Sequence, residues 1–325
     1  MRLAIYGYGN LGRGVEAAAT AASDVSLVGI FTRRDVRKVR AASGAEVFAA
    51  EEVFAFCDRV DVLAVCGGSA TDLPTMTPQL ASRFQVVDSF DTHATIPAHF
   101  AAVDAAAREG GHTALIAAGW DPGLLSLARL YFAAALPCGK SYTFWGRGVS
   151  EGHSDAVRHI PGVKDARAYT LPREEVRQAV AAEQTVLLPA GAFHRRVCYV
   201  VAEAGADTCR IEREIRALPH YFAGNDTEVH FISEVEMARE HAALPHGGHV
   251  YRNGTTGGRG EVKNALSLSL RTDSNPSLTG SLLLSFARAV VRLHERGEYG
   301  CKTVFDLPPA TLLPMAPAAL REAFL

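Results

Sequence analysis

Three groups of residues in this sequence have types and spacings suited to chemistry. The first is Gly7-Tyr8-Gly9-Asn10-Leu11-Gly12, a G-x-G-x-x-G pattern. Glycine permits a tight turn at Gly7, close backbone approach to a pyrophosphate at Gly9, and close helix–strand packing at Gly12. The free N–H groups of the following helix then face the phosphates. The second group is Thr32-Arg33-Arg34, at the position where an NAD enzyme usually carries an acid for the ribose 2′-hydroxyl. A carboxylate there would repel a 2′-phosphate, whereas guanidinium binds it with charge-assisted hydrogen bonds, so NADP is favoured over NAD. The competing reading is a solvated basic turn, since Arg37, Lys38 and Arg40 follow. The third group is a pair of acids, Asp91 and Asp121, each shortly after an apolar run. In a doubly wound sheet both would face the crevice beyond the strand ends, where a carboxylate can serve as a general acid or base. Its ordinary alternative is a turn residue or helix cap. Twelve histidines raise the question of a metal, but the closest spacing, His246-x-x-His249, sits in a Gly-Gly turn with no third ligand nearby in sequence, and no metal site is expected.

The elements that must position these groups alternate over the first third of the chain. Residues 3–6 form a short apolar run, 15–19 read as helix and 25–31 as a second buried strand, which is the β-α-β context the glycine pattern requires. Residues 60–65 are a third strand, ending in Cys66-Gly67-Gly68-Ser69-Ala70-Thr71. Residues 85–88 are a fourth, followed by Ser89-Phe90-Asp91. A helix over 97–110 and a strand over 113–117 lead to Gly119-Trp120-Asp121-Pro122. In an open parallel sheet, ligands sit beyond the carboxyl ends of the strands. The expected cofactor contacts are therefore Gly7 to Gly12, Thr32 to Arg34, Cys66 to Thr71, Ser89 to Asp91, and Trp120 to Pro122, with both acids facing the crevice that holds the nicotinamide.

Beyond about residue 125 the pattern changes to short β-like segments (141–145, 195–201, 229–232, 266–270) and helical ones (173–182, 207–217), interrupted by irregular glycine-rich stretches at 145–155 and 245–249. The fold class is α/β: an N-terminal Rossmann-type doubly wound parallel sheet over 1–122, then a second α+β domain over 123–296 for substrate binding and dimerisation. The segment from about 297 to 325 is expected to pack back on the first domain. A long amphipathic helix over 276–296 is a candidate for returning the chain there.

Composition sets the outer bounds. The 325 residues, 48% hydrophobic and 21% charged, fit two globular domains rather than a disordered chain. Lys+Arg 33 against Asp+Glu 35 gives −2, so no positive excess points to nucleic acid or an anionic membrane. No apolar run reaches the ~18 residues of a membrane helix. The N-terminal residues read as a strand rather than a signal peptide, so a cytoplasmic protein with reduced thiols is expected. The six cysteines are scattered without a C-x-x-C and read as small core residues, Cys66 standing apart only through its glycine-rich neighbours.

Longer stretches carry a resemblance. GYGNLGRGVE (7–16), LVGIFTRR (27–34), GSATDLP (68–74), AAGWDPGL (117–124), TFWGRGVSEGHSDAVRHIPGV (143–163), YTLP (169–172), LPHGGHV (244–250) and NP (275–276) closely resemble the meso-diaminopimelate dehydrogenase family. The resemblance runs over most of the chain, and the 143–163 stretch is its most specific part. It implies reversible, NADP-dependent oxidative deamination at the D-configured carbon of meso-2,6-diaminopimelate, giving L-2-amino-6-oxopimelate and ammonia. It also implies a homodimer whose second domain supplies the substrate site. By the same resemblance Asp91 and Asp121 lie near the reacting amino group, and Trp120 and Trp145 line the pocket. Glu151 and Gly152 meet the D-end carboxylate. Thr170, Arg196 and His246 hold the distal carboxylate, with Asn275 a polar contact there. Glu151 departs from the glutamine of some relatives, where a backbone N–H can serve instead, and Phe90 replaces a tyrosine.

Residue chemistry supports the same assignment at the distal end, where Arg196 can grip a carboxylate in bidentate fashion. His153 is a further, weaker candidate base. Other readings stay open: a D-amino-acid dehydrogenase of broader specificity, or a non-catalytic NADP(H)-sensing protein in which the paired acids and Arg196 have no use. A homoserine-type dehydrogenase would call for a lysine-rich proton relay, and the chain has five lysines.

Overall fold

The computed structural model describes residues 1–219 and 221–325. In chain order the first elements are β1 (Arg2–Tyr6), α1 (Asn10–Ala21), β2 (Ser26–Thr32), β3 (Val47–Ala49), β4 (Val62–Val65), α2 (Leu73–Ala81), β5 (Val86–Asp88), α3 (Ile96–Gly110), β6 (Thr113–Leu115) and α4 (Leu124–Ala135). There follow β7 (Gly139–Trp145), β8 (Gly148–Val149), α5 (Glu151–Arg158), β9 (Val163–Pro172), α6 (Glu174–Ala181), β10 (His194–Ala202), α7 (Thr208–Ala217), β11 (Thr227–Phe231), α8 (Glu234–Glu240), β12 (His246–Thr256) and β13 (Val262–Thr272). The chain ends with α9 (Asn275–Glu295), β14 (Gly300–Lys302) and α10 (Pro317–Phe324).

Two compact units result, Met1–Leu127 with Pro276–Leu325, and Ala128–Asn275. The first is built on a seven-stranded parallel sheet in the order β14-β6-β5-β4-β1-β2-β3. Its strands are near-continuous apolar runs because both faces are covered. On one face Val15 and Ala19 of α1 pack with Leu283, Phe286, Ala287 and Val290 of α9. On the other, Leu73 and Leu80 of α2 pack with Val103 and Ala107 of α3. Strand order reverses between β1 and β4, so the loops after those two strands flank the switch point where such sheets bind ligands.

The placement of α9 corrects the expected domain boundary. Residues 276–296 belong to the first unit, and the reason is a backbone-to-backbone fit. A Cβ on Gly14 would stand 2.1 Å from the Pro276 carbonyl oxygen, and one on Gly280 2.3 Å from the Gly14 carbonyl carbon. The Arg288 guanidinium also pairs with Asp24 through two 2.8 Å hydrogen bonds.

The second unit holds a four-stranded sheet, β11-β10-β9-β8, and a three-stranded antiparallel sheet, β13-β12-β7. Both glycine-rich stretches read as irregular turn out to contain regular structure, α5 within 145–155 and the start of β12 within 245–249. No helix among the described residues is long and apolar enough to cross a membrane.

Candidate active site

Within the first unit the glycine loop leaves β1 and enters α1. Gly7 has φ +98°, and its backbone runs so close to β4 that a Cβ there would lie 2.6 Å from the Cys66 carbonyl oxygen. A Cβ on Gly12 would meet the Gly7 carbonyl oxygen at 2.3 Å, so Gly12 seats the helix on the loop. Gly9 is different, with open space where its side chain would be. It is the N-cap of α1, no side chain caps the helix, and no acid occupies the first turn. An uncapped helix N-terminus with open space before it is suited to a phosphate.

The adjoining cavity of 390 Å³ is lined by Tyr6, Gly7, Tyr8, Gly9, Phe31, Thr32, Arg33, Arg34, Cys66, Gly67, Gly68, Asp72 and Met76. The glycine loop, the end of β2 and the loop after β4 therefore meet, as the sequence pattern requires. Arg33 reaches Asp72 at 2.9 Å, and Arg34 donates to the Tyr8 carbonyl oxygen. Both arginines are exposed and both line the cavity, so two positive charges stand at its edge. Asp72 also accepts from Gly68 N–H at 2.9 Å. Sequence reasoning missed Asp72, Tyr6, Phe31 and Met76. Only the position of Asp72, at the end of the Gly-Ser-Ala-Thr-Asp stretch that opens α2, offered a signal.

Other expected cofactor contacts lie outside this cavity. Asn10, Leu11 and Gly12 are in the first turn of α1, and Ala70 and Thr71 are exposed. Ser69 uses its hydroxyl to accept from Asp91 N–H (2.8 Å) and Thr92 N–H (3.1 Å). Ser89, Phe90 and Asp91 follow β5; Trp120, Asp121 and Pro122 follow β6, its neighbour in the sheet. Phe90 is 1% exposed and stacks on the His99 ring with centroids 4.1 Å apart, so its side chain belongs to the core rather than to a ligand surface. Asp91 is exposed, Asp121 half-buried and Trp120 buried. Burial, and then the Asp88 carboxylate, push the thiol of the half-buried Cys66 up to about 12.

In the second unit a different constellation forms. Arg196 on β10 and Thr170 on β9 are directly opposed across the antiparallel pair, and the guanidinium donates to the threonine hydroxyl. Thr170 is in turn opposite Gly148 of β8. A Cβ on Gly148 would stand 2.4 Å from His246 Cγ, so that glycine exists to admit His246. Trp145 donates its backbone N–H to His194 Nε2 at 2.8 Å and stacks on that ring with centroids 5.2 Å apart. Within the second unit the N–H of Asn275, its last residue, donates to the Leu244 carbonyl oxygen at 2.8 Å. Glu151 and Gly152 open α5.

The electrostatics of this constellation are one-sided. Among the described residues no carboxylate pairs with Arg196, its Nε is buried without a hydrogen-bond partner, and burial lowers its pKa. Burial, and then the Arg196 charge, push both His153 and His194 down to about 4, so both are neutral near pH 7. His153 is also fully engaged: Nε2 reaches the Tyr221 carbonyl oxygen (3.1 Å), and Nδ1 reaches Ser150 Oγ (2.6 Å). Arg196 is half-buried, and a partly desolvated cation without a counter-ion is a natural seat for an anion supplied from outside.

Known proteins resemble this chain over its whole length. Residues 119–274 match the family model described as diaminopimelic acid dehydrogenase C-terminal domain. The chain is 48% identical to the meso-diaminopimelate D-dehydrogenase of Ureibacillus thermosphaericus over 100% of its length and 99% of that protein. Among solved structures, Corynebacterium glutamicum diaminopimelate dehydrogenase in complex with diaminopimelate superposes with TM-score 0.94 at 42% identity, covering 100% of this chain and 99% of that one. An engineered D-amino acid dehydrogenase bound to NADP⁺ superposes at 0.92 and 41%, with the same coverage. The glycine loop, the basic end of β2 and the Arg196–Thr170–His246 cluster are thus parts of a protein that belongs to the meso-diaminopimelate D-dehydrogenase family.

Proposed function

We propose that this protein is an NADP-dependent dehydrogenase of meso-2,6-diaminopimelate, acting at the D-centre and serving lysine biosynthesis in the cytoplasm as a homodimer. The observation that carries the substrate assignment is Arg196, a half-buried guanidinium whose Nε is orphaned and which has no acidic partner among the described residues, beside two neutral histidines. That arrangement suits one carboxylate of a diacid. Thr170 and His246 add polar groups around it, and Asn275 is assigned to the same end. Glu151 and Gly152, at the N-terminus of α5, are assigned to the other carboxylate, with Trp120 and Trp145 as apolar walls.

The residues present fit NADP. Gly9 leaves room for backbone approach, and Arg33 and Arg34 bring two positive charges to a cavity at the sheet's switch point. NADP⁺, when bound, supplies the acceptor for the hydride that leaves the D-carbon. Hydride loss needs the neutral amine, whose lone pair drives it out. Asp91 and Asp121, taken as a pair, accept the amine proton and then stabilise the positive charge as the C=N⁺ bond forms. Water adds to that carbon, one of the acids takes its proton, and ammonia leaves as the carbonyl forms. Overall, the ammonium form of the diacid, NADP⁺ and one water become the oxo diacid, ammonium, NADPH and one proton.

Mixing the purified protein with NADP⁺ and meso-diaminopimelate and following NADPH absorbance tests the reading, with NAD⁺ and simple D-amino acids as comparisons. NADPH formation with the diacid, and little with D-alanine, is the expected result. Absence of turnover with the diacid would sink the proposal. Light scattering giving the mass of two chains is expected for the homodimer, and the mass of one chain would remove that part.

A further inference from the structure

Asp88, the last residue of β5, is wholly buried, yet four donors converge on its carboxylate. Oδ1 accepts from Phe90 N–H (3.0 Å) and Ala117 N–H (3.1 Å), while Oδ2 accepts from the Thr77 hydroxyl and meets His99 Nε2, each at 2.8 Å. Its backbone carbonyl also accepts from Ala118 N–H at 2.9 Å. Four donors fill the lone-pair sites of a carboxylate. We infer that Asp88 is a positioning residue, a single buried carboxylate that fixes the loop carrying Asp91 and the turn carrying Asp121 in one arrangement.

The two attachments reach the acids by short, stiff paths. Phe90, whose N–H is held, immediately precedes Asp91, and its ring is stacked on His99. Asp91 and Thr92 are pinned by Ser69 from the other side. Ala117 has φ 55°, a left-handed conformation that costs a non-glycine residue on the order of 1 kcal/mol or more and so needs an outside hold. The hold is the Asp88 oxygen. From Ala117 the chain enters a turn closed on itself, with Gly119 N–H bonded to the Pro122 carbonyl (2.9 Å) and Leu125 N–H to that of Trp120 (2.7 Å). A shift at Ala117 is therefore passed on to Asp121. Thr77 on α2 and His99 on α3, both buried, set the direction in which Asp88 points, and the His99 ring also carries the stacked Phe90.

This assignment rests on Asp91 and Asp121 handling the protons of the reaction, and its test separates the two ideas. The variants are Asp88→Asn, Thr77→Val and Thr77→Ser in the full chain. With Asp88→Asn, kcat is expected to fall about 10²-fold, the scale of a small misplacement of reacting groups. NADP⁺ affinity should stay within about twofold, and the isotope effect for substrate deuterated at the D-carbon should rise. Thr77→Val should lower kcat in the same direction, and Thr77→Ser, which keeps the hydroxyl, should restore it. Hydrogen exchange should speed up together over residues 89–92 and 117–121 in Asp88→Asn and Thr77→Val. Turnover within twofold of wild type in Thr77→Val, or a fall without a rise in the isotope effect, would overturn the assignment. Loosening of only one of the two loops would do so as well. If the wild-type protein does not oxidise the diacid, the reading of the reaction fails, while the exchange measurement still decides whether Asp88 clamps both loops. Should Asp88→Asn not fold, the threonine pair alone decides.

Discussion

Arg196 faces opposing demands from stability and function. Its guanidinium is half-buried, with a hydrogen bond to Thr170, an orphaned Nε and no acid beside it among the described residues. Replacing such a group with an apolar side chain of similar volume is often neutral or stabilising. Arg196→Met is therefore expected to leave the melting temperature unchanged or raise it, while KM for meso-diaminopimelate rises by about 10²-fold or more, the order expected for losing a hydrogen bond to a charged group plus its desolvated partner. A lowered melting temperature with unchanged KM would show Arg196 to be structural. Asp91 makes the complementary case on the proton side. Asp91→Asn keeps the shape of the side chain and removes its basicity, so turnover should drop by about 10²–10⁴-fold, the usual range for an acid–base group. Steady-state kinetics with near-normal kcat would exclude it. Both residues were legible in the sequence only as types at positions. That Arg196 lacks an acid is a fact of tertiary packing, which a linear reading cannot supply.

At the scale of elements, the coenzyme cavity depends on β2 ending where β1 and β4 end. The strand-glycine-helix-strand order was readable because each glycine has a local duty, at Gly7 a positive φ and at Gly12 contact with the loop before it. Arg33 and Arg34 belong to that element rather than to the chemistry. Their joint replacement by alanine should weaken NADP⁺ far more than NAD⁺, measured as the ratio of their dissociation constants. Equal weakening would remove the 2′-phosphate assignment. The glycines of the second unit misled for a physical reason. Gly247 sits where a Cβ would lie 2.5 Å from the Leu270 carbonyl oxygen, and Gly148 where one would strike His246. Crowding by a neighbouring strand, not a turn, demands them, so a stretch that reads as loop is partly the strand β12. The same crowding governs α1 and α9. Gly280→Ala should cost about 1–3 kcal/mol, the range for overpacking, seen as an earlier denaturation midpoint with an unchanged slope. An unaltered midpoint would mean the helices part without cost.

At the scale of the whole chain, the first unit is discontinuous in sequence, Met1–Leu127 with Pro276–Leu325, whereas the sequence reading divides the chain at 122/123 and 296/297. Amphipathic periodicity announces α9 but does not say which unit it covers; only the fit of Gly280 against Gly14 does. The second unit brings a distinct pH behaviour. His153 and His194 are both held near 4 in the folded protein by burial and by Arg196, against an ordinary value of 6.5. His194 must also stay unprotonated at Nε2 to accept the Trp145 N–H. The unfolded chain therefore binds more protons than the folded one between these values. Stability that is fully present above pH 6.5 should be lost progressively as pH falls toward 4, by linkage on the order of 3 kcal/mol between pH 7 and pH 5 for the two together. Denaturant midpoints across that range measure it. The double variant His153→Asn, His194→Gln should begin less stable but fall less steeply. A slope as steep as that of the wild type would place the acid sensitivity elsewhere in the molecule. Because the same two histidines border Arg196, their protonation would add positive charge where the substrate's carboxylate is proposed to sit. Acid should therefore weaken the protein before it weakens its grip on the diacid.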